Sequence, residues 1–174
     1  NYKLDTILPM NKKRLVVAIS GPSNSGKTTT IVKLSNTLKA SGFSVCIVKH
    51  DPKDKAVFDK EGKDSHKFTQ TGANVAVLSP TRTTVFKQET SSIENLIDIF
   101  DDFDYLIVEG LKTLELPRIS IFRNKLEESY FPYTDAIASD ETINDEDIPT
   151  TIDKLDLNNI DELISWINKN SKRV

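Results

Sequence analysis

The run Gly21-Pro22-Ser23-Asn24-Ser25-Gly26-Lys27-Thr28 fits the spacing G-x-x-x-x-G-K-[ST], in which each residue type has its own task in gripping a phosphate chain. Gly21 and Gly26 let the backbone approach oxyanions with no Cβ in the way, so N–H groups from Asn24 to Thr29 can converge on them. Lys27 brings a mobile full charge to the β- and γ-phosphates, and the hydroxyl of Thr28 is short enough to ligate Mg2+ beside them. The expected nucleotide contacts are Gly21, Ser23, Asn24, Ser25, Gly26, Lys27, Thr28 and Thr29. A glycine turn that only joined two elements would leave the Lys-Thr pair unexplained.

A phosphate-bound metal needs an acidic group at the end of a neighbouring strand, and Glu109 follows the apolar run Tyr105-Leu106-Ile107-Val108. A carboxylate there costs several kcal/mol unless a cation or hydrogen bonds compensate. Lys27 and Glu109 are therefore the candidates for chemistry, with Thr28, Glu109 and Asp51 on the metal side. Asp104 precedes the same run, which places it at the opposite sheet end, in solvent.

Lys49, His50 and Asp51 follow a second apolar run, at the carboxyl end of a strand where α/β sheets bind ligands. Lys63 and Asp64 lie in a polar stretch that either closes over the nucleotide or is simply solvated. No Asn-Lys-x-Asp signature is present to read guanine; Asp140 is the residue whose carboxylate could pair with N1 and N2, and an exposed turn aspartate is its other reading. The five arginines, Arg14, Arg82, Arg118, Arg123 and Arg173, are scattered, with none expected beside the loop. Hydrolysis should then be slow, because a well-placed arginine is worth roughly 10³ to 10⁵ in kcat.

Positioning these residues requires alternating strands and helices. Leu15 to Ile19 is a wholly apolar, β-branched run that reads as a buried strand leading into the loop. From Lys27 onward Ile31, Leu34 and Leu38 mark one face of a helix that stops at Gly42. Val45 to Val48 reads as a second buried strand, parallel to the first in one sheet. Ser65 to Thr71 reads as a short helix, with Val75 to Leu78 and Thr83 to Lys87 as strands. Ser91 and Glu94 have capping-box spacing before a stripe of Ile93, Leu96, Ile97 and Phe100. Tyr105 to Val108 is a buried strand, Ile119 to Phe122 a partly exposed one and Ala136 to Ala138 a short one. A final helix begins at Asn159, carries Ile160, Leu163, Ile164 and Ile167, and leaves Trp166 partly buried. The order implies an α/β P-loop NTPase fold, a three-layer structure whose mostly parallel, mixed β-sheet is flanked by helices.

The chain has 174 residues, enough for one ordinary domain. Residues 10–174 are read as that single domain, and residues 1–9 as an added or disordered tail before the only methionine, Met10. With 23 basic and 26 acidic residues the net charge is −3, which gives no pull toward nucleic acid or an anionic membrane. No apolar stretch suits a membrane span, and the single cysteine, Cys46, reads as a small hydrophobe, so a cytoplasmic protein is expected.

Four stretches together resemble the molybdopterin-guanine dinucleotide biosynthesis protein B (MobB) family, small GTP-binding P-loop proteins. They are the loop through Thr29, then Val48-Lys49-His50, then Gly62-Lys63-Asp64-Ser65 with Thr71-Gly72-Ala73, and finally Val108-Glu109-Gly110-Leu111-Lys112 with Pro117-Arg118-Ile119. The resemblance implies GTP and Mg2+ as cofactors and slow hydrolysis, and adds Lys112 to the candidate site. It further implies a homodimer that assists the molybdenum cofactor guanylyltransferase, which attaches GMP to molybdopterin, among the molybdopterin and molybdoenzyme biosynthesis proteins. The further histidines that family members carry after Lys-His are replaced here by Asp51-Pro52-Lys53-Asp54, so no role of theirs is carried over. A small P-loop nucleoside or metabolite kinase is the other reading, although such enzymes need an arginine-bearing lid.

Overall fold

In the computed structural model, residues 11–174 are described; the expectation for residues 1–9 lies outside them. The chain divides into two compact units, a larger one that runs to His50 and resumes over Asp102–Val174, and a smaller one, Asp51–Asp101. Composition marked no such boundary.

The larger unit is built on β1 (Leu15–Ser20), α1 (Lys27–Ala40), β2 (Val45–Lys49), then, beyond the smaller unit, β5 (Tyr105–Glu109), β6 (Arg118–Phe122), β7 (Ala136–Ser139), β8 (Asp153–Asp156), α4 (Ile160–Asn170) and β9 (Lys172–Arg173). Its sheet runs β2-β5-β1-β6-β7-β8 with all of these neighbours parallel. The short β9 pairs antiparallel with β1, making the sheet mixed. The smaller unit holds α2 (Asp64–Thr69), β3 (Val75–Leu78), β4 (Thr83–Phe86) and α3 (Ile93–Phe100), with β3 and β4 pairing antiparallel as a separate ribbon.

Burial explains which strands the apolar runs foretold. Val16 to Ile19 and Leu106 to Val108 have no exposed surface, as strands covered on both faces require. Ile31, Leu34 and Leu38 of α1 and Leu163, Trp166 and Ile167 of α4 pack with Val17, Ile19 and Ile107 in one core. Three expectations change. Among the described residues β2 is an edge strand hydrogen-bonded only to β5, and Ile47 is 44 % exposed rather than buried. β6, expected to be partly exposed, is buried throughout because it lies between β1 and β7. Trp166 is buried, and its indole N–H donates to Asp153 Oδ2 at 2.8 Å.

Polar residues produce the other differences. β8 is Asp-Lys-Leu-Asp and escaped the periodicity reading because only Leu155 faces the core; charges on an edge strand discourage further pairing. The cap of α3 is Ser92, which accepts from the Asn95 amide while Asn95 Oδ1 accepts from the Ser92 amide, one residue later than the Ser91/Glu94 pair expected. Asp104 is buried, not solvated. Its carboxylate accepts from the Ser44 amide (2.8 Å) and hydroxyl (3.1 Å) and from the Lys13 amide (3.1 Å), and it pairs with Lys12 at 3.6 Å. Burial pushes its pKa up, but these hydrogen bonds and the Lys12 charge outweigh it and hold the carboxyl below its ordinary value.

Candidate phosphate-binding site

The loop between β1 and α1 is shaped by its two glycines. Gly21 has φ 140° and Gly26 has φ 100°, and a Cβ on Gly21 would collide with the carbonyl oxygen of Ile121 in β6. Gly26 is the N-cap of α1, so the amides that follow it open the helix with their hydrogens unclaimed by the preceding turn. Ser23, Asn24, Thr28 and Thr29 are exposed at this end, whereas Ser25 is 4 % exposed and its Oγ has no hydrogen-bond partner among the described residues. A buried hydroxyl without a partner is costly. Lys27 folds back over the loop, its ammonium donating to the carbonyls of Gly21 (2.8 Å) and Pro22 (2.6 Å).

Glu109 reaches the loop through strand register, since Ile19 pairs with Glu109 and the Gly110 amide donates to Ile19 O at 3.0 Å. Its side chain is only 13 % exposed, and it accepts from Lys49 Nζ at 3.0 Å. Lys27 responds to both neighbours: burial draws its ammonium pKa down, the negative charge of Glu109 opposes this, and Lys49 adds a smaller downward push. Lys27, Glu109 and Lys49 thus form one electrostatic group. His50 is exposed just beyond, with its amide donating to Glu109 O at 3.0 Å. Lys112 is exposed and carries its ammonium 4.7 Å from the Tyr130 ring centroid.

Asp51, Lys63 and Asp64 belong to the smaller unit. Asp51 Oδ2 accepts from the amides of Lys55 (2.8 Å) and Ala56 (2.7 Å), closing a turn. Lys63 caps α2, and Asp64 pairs with Lys67 one turn along at 3.2 Å. Among the described residues no three His, Cys, Asp or Glu side chains cluster as a metal site. The hydroxyl of Thr28 and the carboxylate of Glu109 are the groups here that could hold a phosphate-bound Mg2+.

Asp140, at the carboxyl end of β7, borders a cleft of about 540 Å3 together with Asp156, Asn158 and Glu162. Its Oδ1 accepts from the amide and hydroxyl of Thr142, and its Oδ2 pairs with Arg123 Nε at 3.2 Å. The hydrogen bond from the Thr142 hydroxyl is the largest influence and, with the Thr142 amide and the Arg123 charge, holds its pKa below the ordinary value although burial pushes it up.

Two arginines matter that spacing did not single out. Arg118, on β6, is fully buried and donates to Ser20 Oγ (2.6 Å) and to the carbonyls of Gly110 (2.9 Å), Leu111 (2.8 Å) and Leu114 (2.8 Å). It ties the segment after Glu109 to β1; a lone arginine beside an apolar run offers no hint of this. Arg123 follows β6, and its guanidinium carbon lies 3.6 Å from where a Cβ on Gly26 would stand. The expectation that no arginine approaches the loop is corrected here, because β6 pairs with β1 although roughly a hundred residues separate them in sequence.

The family model for molybdopterin guanine dinucleotide synthesis protein B matches residues 16–140. A Haemophilus influenzae protein named molybdopterin-guanine dinucleotide biosynthesis adapter protein is 31 % identical over 168 residues, covering 92 % of this chain and 92 % of its own. The Escherichia coli protein of that name is 29 % identical over 170 residues, covering 88 % and 94 %. A putative adapter from Methanocaldococcus jannaschii is 34 % identical over 116 residues, 63 % of this chain, and the match spans 48 % of that longer protein. The crystal structure of Bacillus subtilis MobB superposes with a TM-score of 0.70 at 22 % identity, covering 87 % of this chain and 96 % of that one, which supports the P-loop NTPase fold. With its family model covering the loop, Glu109 and Asp140 in one continuous match, the chain belongs to the MobB family.

Proposed function

We propose that this protein binds GTP with Mg2+ at the Gly21–Thr28 loop and serves, in the cytoplasm, as an accessory protein in the synthesis of molybdopterin guanine dinucleotide. It would act beside the guanylyltransferase that attaches GMP to molybdopterin. The observation that carries the reading is the loop itself: two left-handed glycines, the buried unpartnered hydroxyl of Ser25 and an ammonium held across the opening of α1. The role in the pathway is supported by family membership and by the names of the bacterial adapters.

In this reading, the amides that open α1 and the Lys27 ammonium stabilise negative charge on the phosphates, exchanging Lys27's contacts with Gly21 O and Pro22 O for phosphate oxygens. Thr28 and Glu109 would hold the metal, which when bound would supply positive charge to the phosphates. The purine lies toward the cleft bordered by Asp140, Asp156 and Asn158, where carboxylates can accept from guanine N1 and N2. Hydrolysis is slow and secondary to binding. Calorimetric titration of GTP, ATP and GDP, with and without Mg2+, tests all of this. Micromolar GTP affinity that requires Mg2+ and disappears in Lys27→Ala is expected; absence of binding below millimolar GTP would sink the reading.

The protein is further proposed to work as a homodimer. Support comes from the smaller unit, where Val57, Phe58, Leu78 and Val85 are 86 %, 86 %, 78 % and 60 % exposed. Such residues together on a ribbon and its neighbouring segment suit a self-complementary interface. Sedimentation that stays monomeric up to high micromolar concentration would refute the dimer.

A further inference from the structure

We infer that Arg123 is a second phosphate-binding cation, contacting the nucleotide at the α-phosphate end and held there by Asp140. The inference rests on the phosphate-loop reading and adds a residue to it. Arg123 leaves the carboxyl end of β6, beside the strand that feeds the loop, and its guanidinium stands over Gly26 with Cζ and Nε each 3.6 Å from a Cβ built there. Asp140 takes Nε at 3.2 Å, so the fork is oriented by one edge. Its two terminal nitrogens make no hydrogen bond among the described residues, and the side chain is 42 % exposed. Five fixed donors around a planar cation match a phosphate oxygen pair, and Arg is chosen over Lys where such geometry is needed.

The direction of the phosphate chain decides which phosphate is met. Glu109 lies on β5, on one side of β1, and would hold a metal that supplies positive charge at the terminal phosphates. Arg123 follows β6, on the other side of β1. The chain must therefore run from Glu109 at its γ end across the opening of α1 toward Arg123 at its α end, and on to the cleft beside Asp140. Asp140 is then a positioning residue whose carboxylate is held ready by Thr142.

Titrations of GTP, GDP and inorganic tripolyphosphate, each with Mg2+, into wild type, Arg123→Ala, Arg123→Lys and Asp140→Asn test this. Arg123→Ala should weaken all three ligands about 10- to 100-fold, with equal losses for GTP and GDP, as expected for one charge-assisted contact. Arg123→Lys should recover part of the loss. Asp140→Asn should weaken tripolyphosphate about 3- to 10-fold alone and no further in an Arg123→Ala background, since toward the phosphates it acts through the guanidinium. Unchanged affinity in Arg123→Ala, with wild type binding and Lys27→Ala not, would overturn the inference while leaving the loop reading intact. A loss confined to GTP would place Arg123 at the γ-phosphate, and a loss for nucleotides but not for tripolyphosphate would place it on the base; either overturns the assignment. Wild type failing to bind GTP would refute the loop reading itself and, with it, this inference.

Discussion

In the larger unit Val16, Val17, Leu34, Leu106 and Ile107 have no exposed surface, while in the smaller unit Val57 and Phe58 are 86 % exposed and Ile93 alone reaches the buried class among its described hydrophobic residues. Both segments carry apolar runs and helical stripes. The difference lies in what the backbone pairs with. A parallel strand between two others, with helices packed on it, loses both faces to protein. A two-stranded antiparallel ribbon has no third strand, and such pairs are marginal without something laid against them. Burial is therefore concentrated in the larger unit, and the smaller unit keeps apolar surface exposed.

The largest expected effect is at Arg118. Arg118→Ala removes a buried cation from three carbonyls and a hydroxyl, which should cost about 3–5 kcal/mol in urea unfolding of the whole protein. A cost near zero would show that the segment after Glu109 holds itself, and that burial in the larger unit contributes less to stability than its covered strands imply. Arg118→Lys should recover little, because an ammonium cannot reproduce the fork.

Asp104→Asn should cost about 1–3 kcal/mol at neutral pH, since the Ser44 and Lys13 amides lose a charged acceptor. Its pH dependence has a definite sign. A carboxyl depressed on folding contributes stability that is present above its unfolded value near 4 and is lost as pH falls through its folded value. Wild type should thus lose stability below about pH 4 more steeply than Asp104→Asn; parallel acid limbs would remove Asp104 as an anchor.

Effects in the smaller unit should be slighter. Ser92→Ala removes the cap of α3 and should cost about 1 kcal/mol locally, read as faster amide exchange over Ile93–Phe100 with exchange in α1 unchanged. Leu78→Ser should change the stability of the monomer by less than about 0.5 kcal/mol and yet weaken self-association. A loss of several kcal/mol in dilute protein would mean that Leu78 is covered within a single chain, and the contrast between the units would fail.

Much of the candidate site was legible in residue types and spacing. Gly21 to Thr28 is a local motif whose spacing already states its geometry, and Glu109 was marked by four apolar residues before a carboxylate. The edge strand β8 was not readable, because Asp153, Lys154 and Asp156 need no burial at a sheet edge and leave no period in the sequence. Asp104 misled for the opposite reason. A carboxylate beside a strand reads as solvated until Ser44 and Lys13 are seen to donate to it from distant parts of the chain.

By itself the sequence determined the glycine loop between Gly21 and Thr28, the helix behind it and the strands buried on both faces, since those follow from residue type and from periods of a few residues. Only the tertiary structure decided that β5 and β6 flank β1, that Arg118 is enclosed, and that Arg123 and Asp140 stand together near Gly26. Contacts between residues far apart in the chain depend on strand order. A parallel sheet sets that order through crossovers whose partners no local pattern encodes.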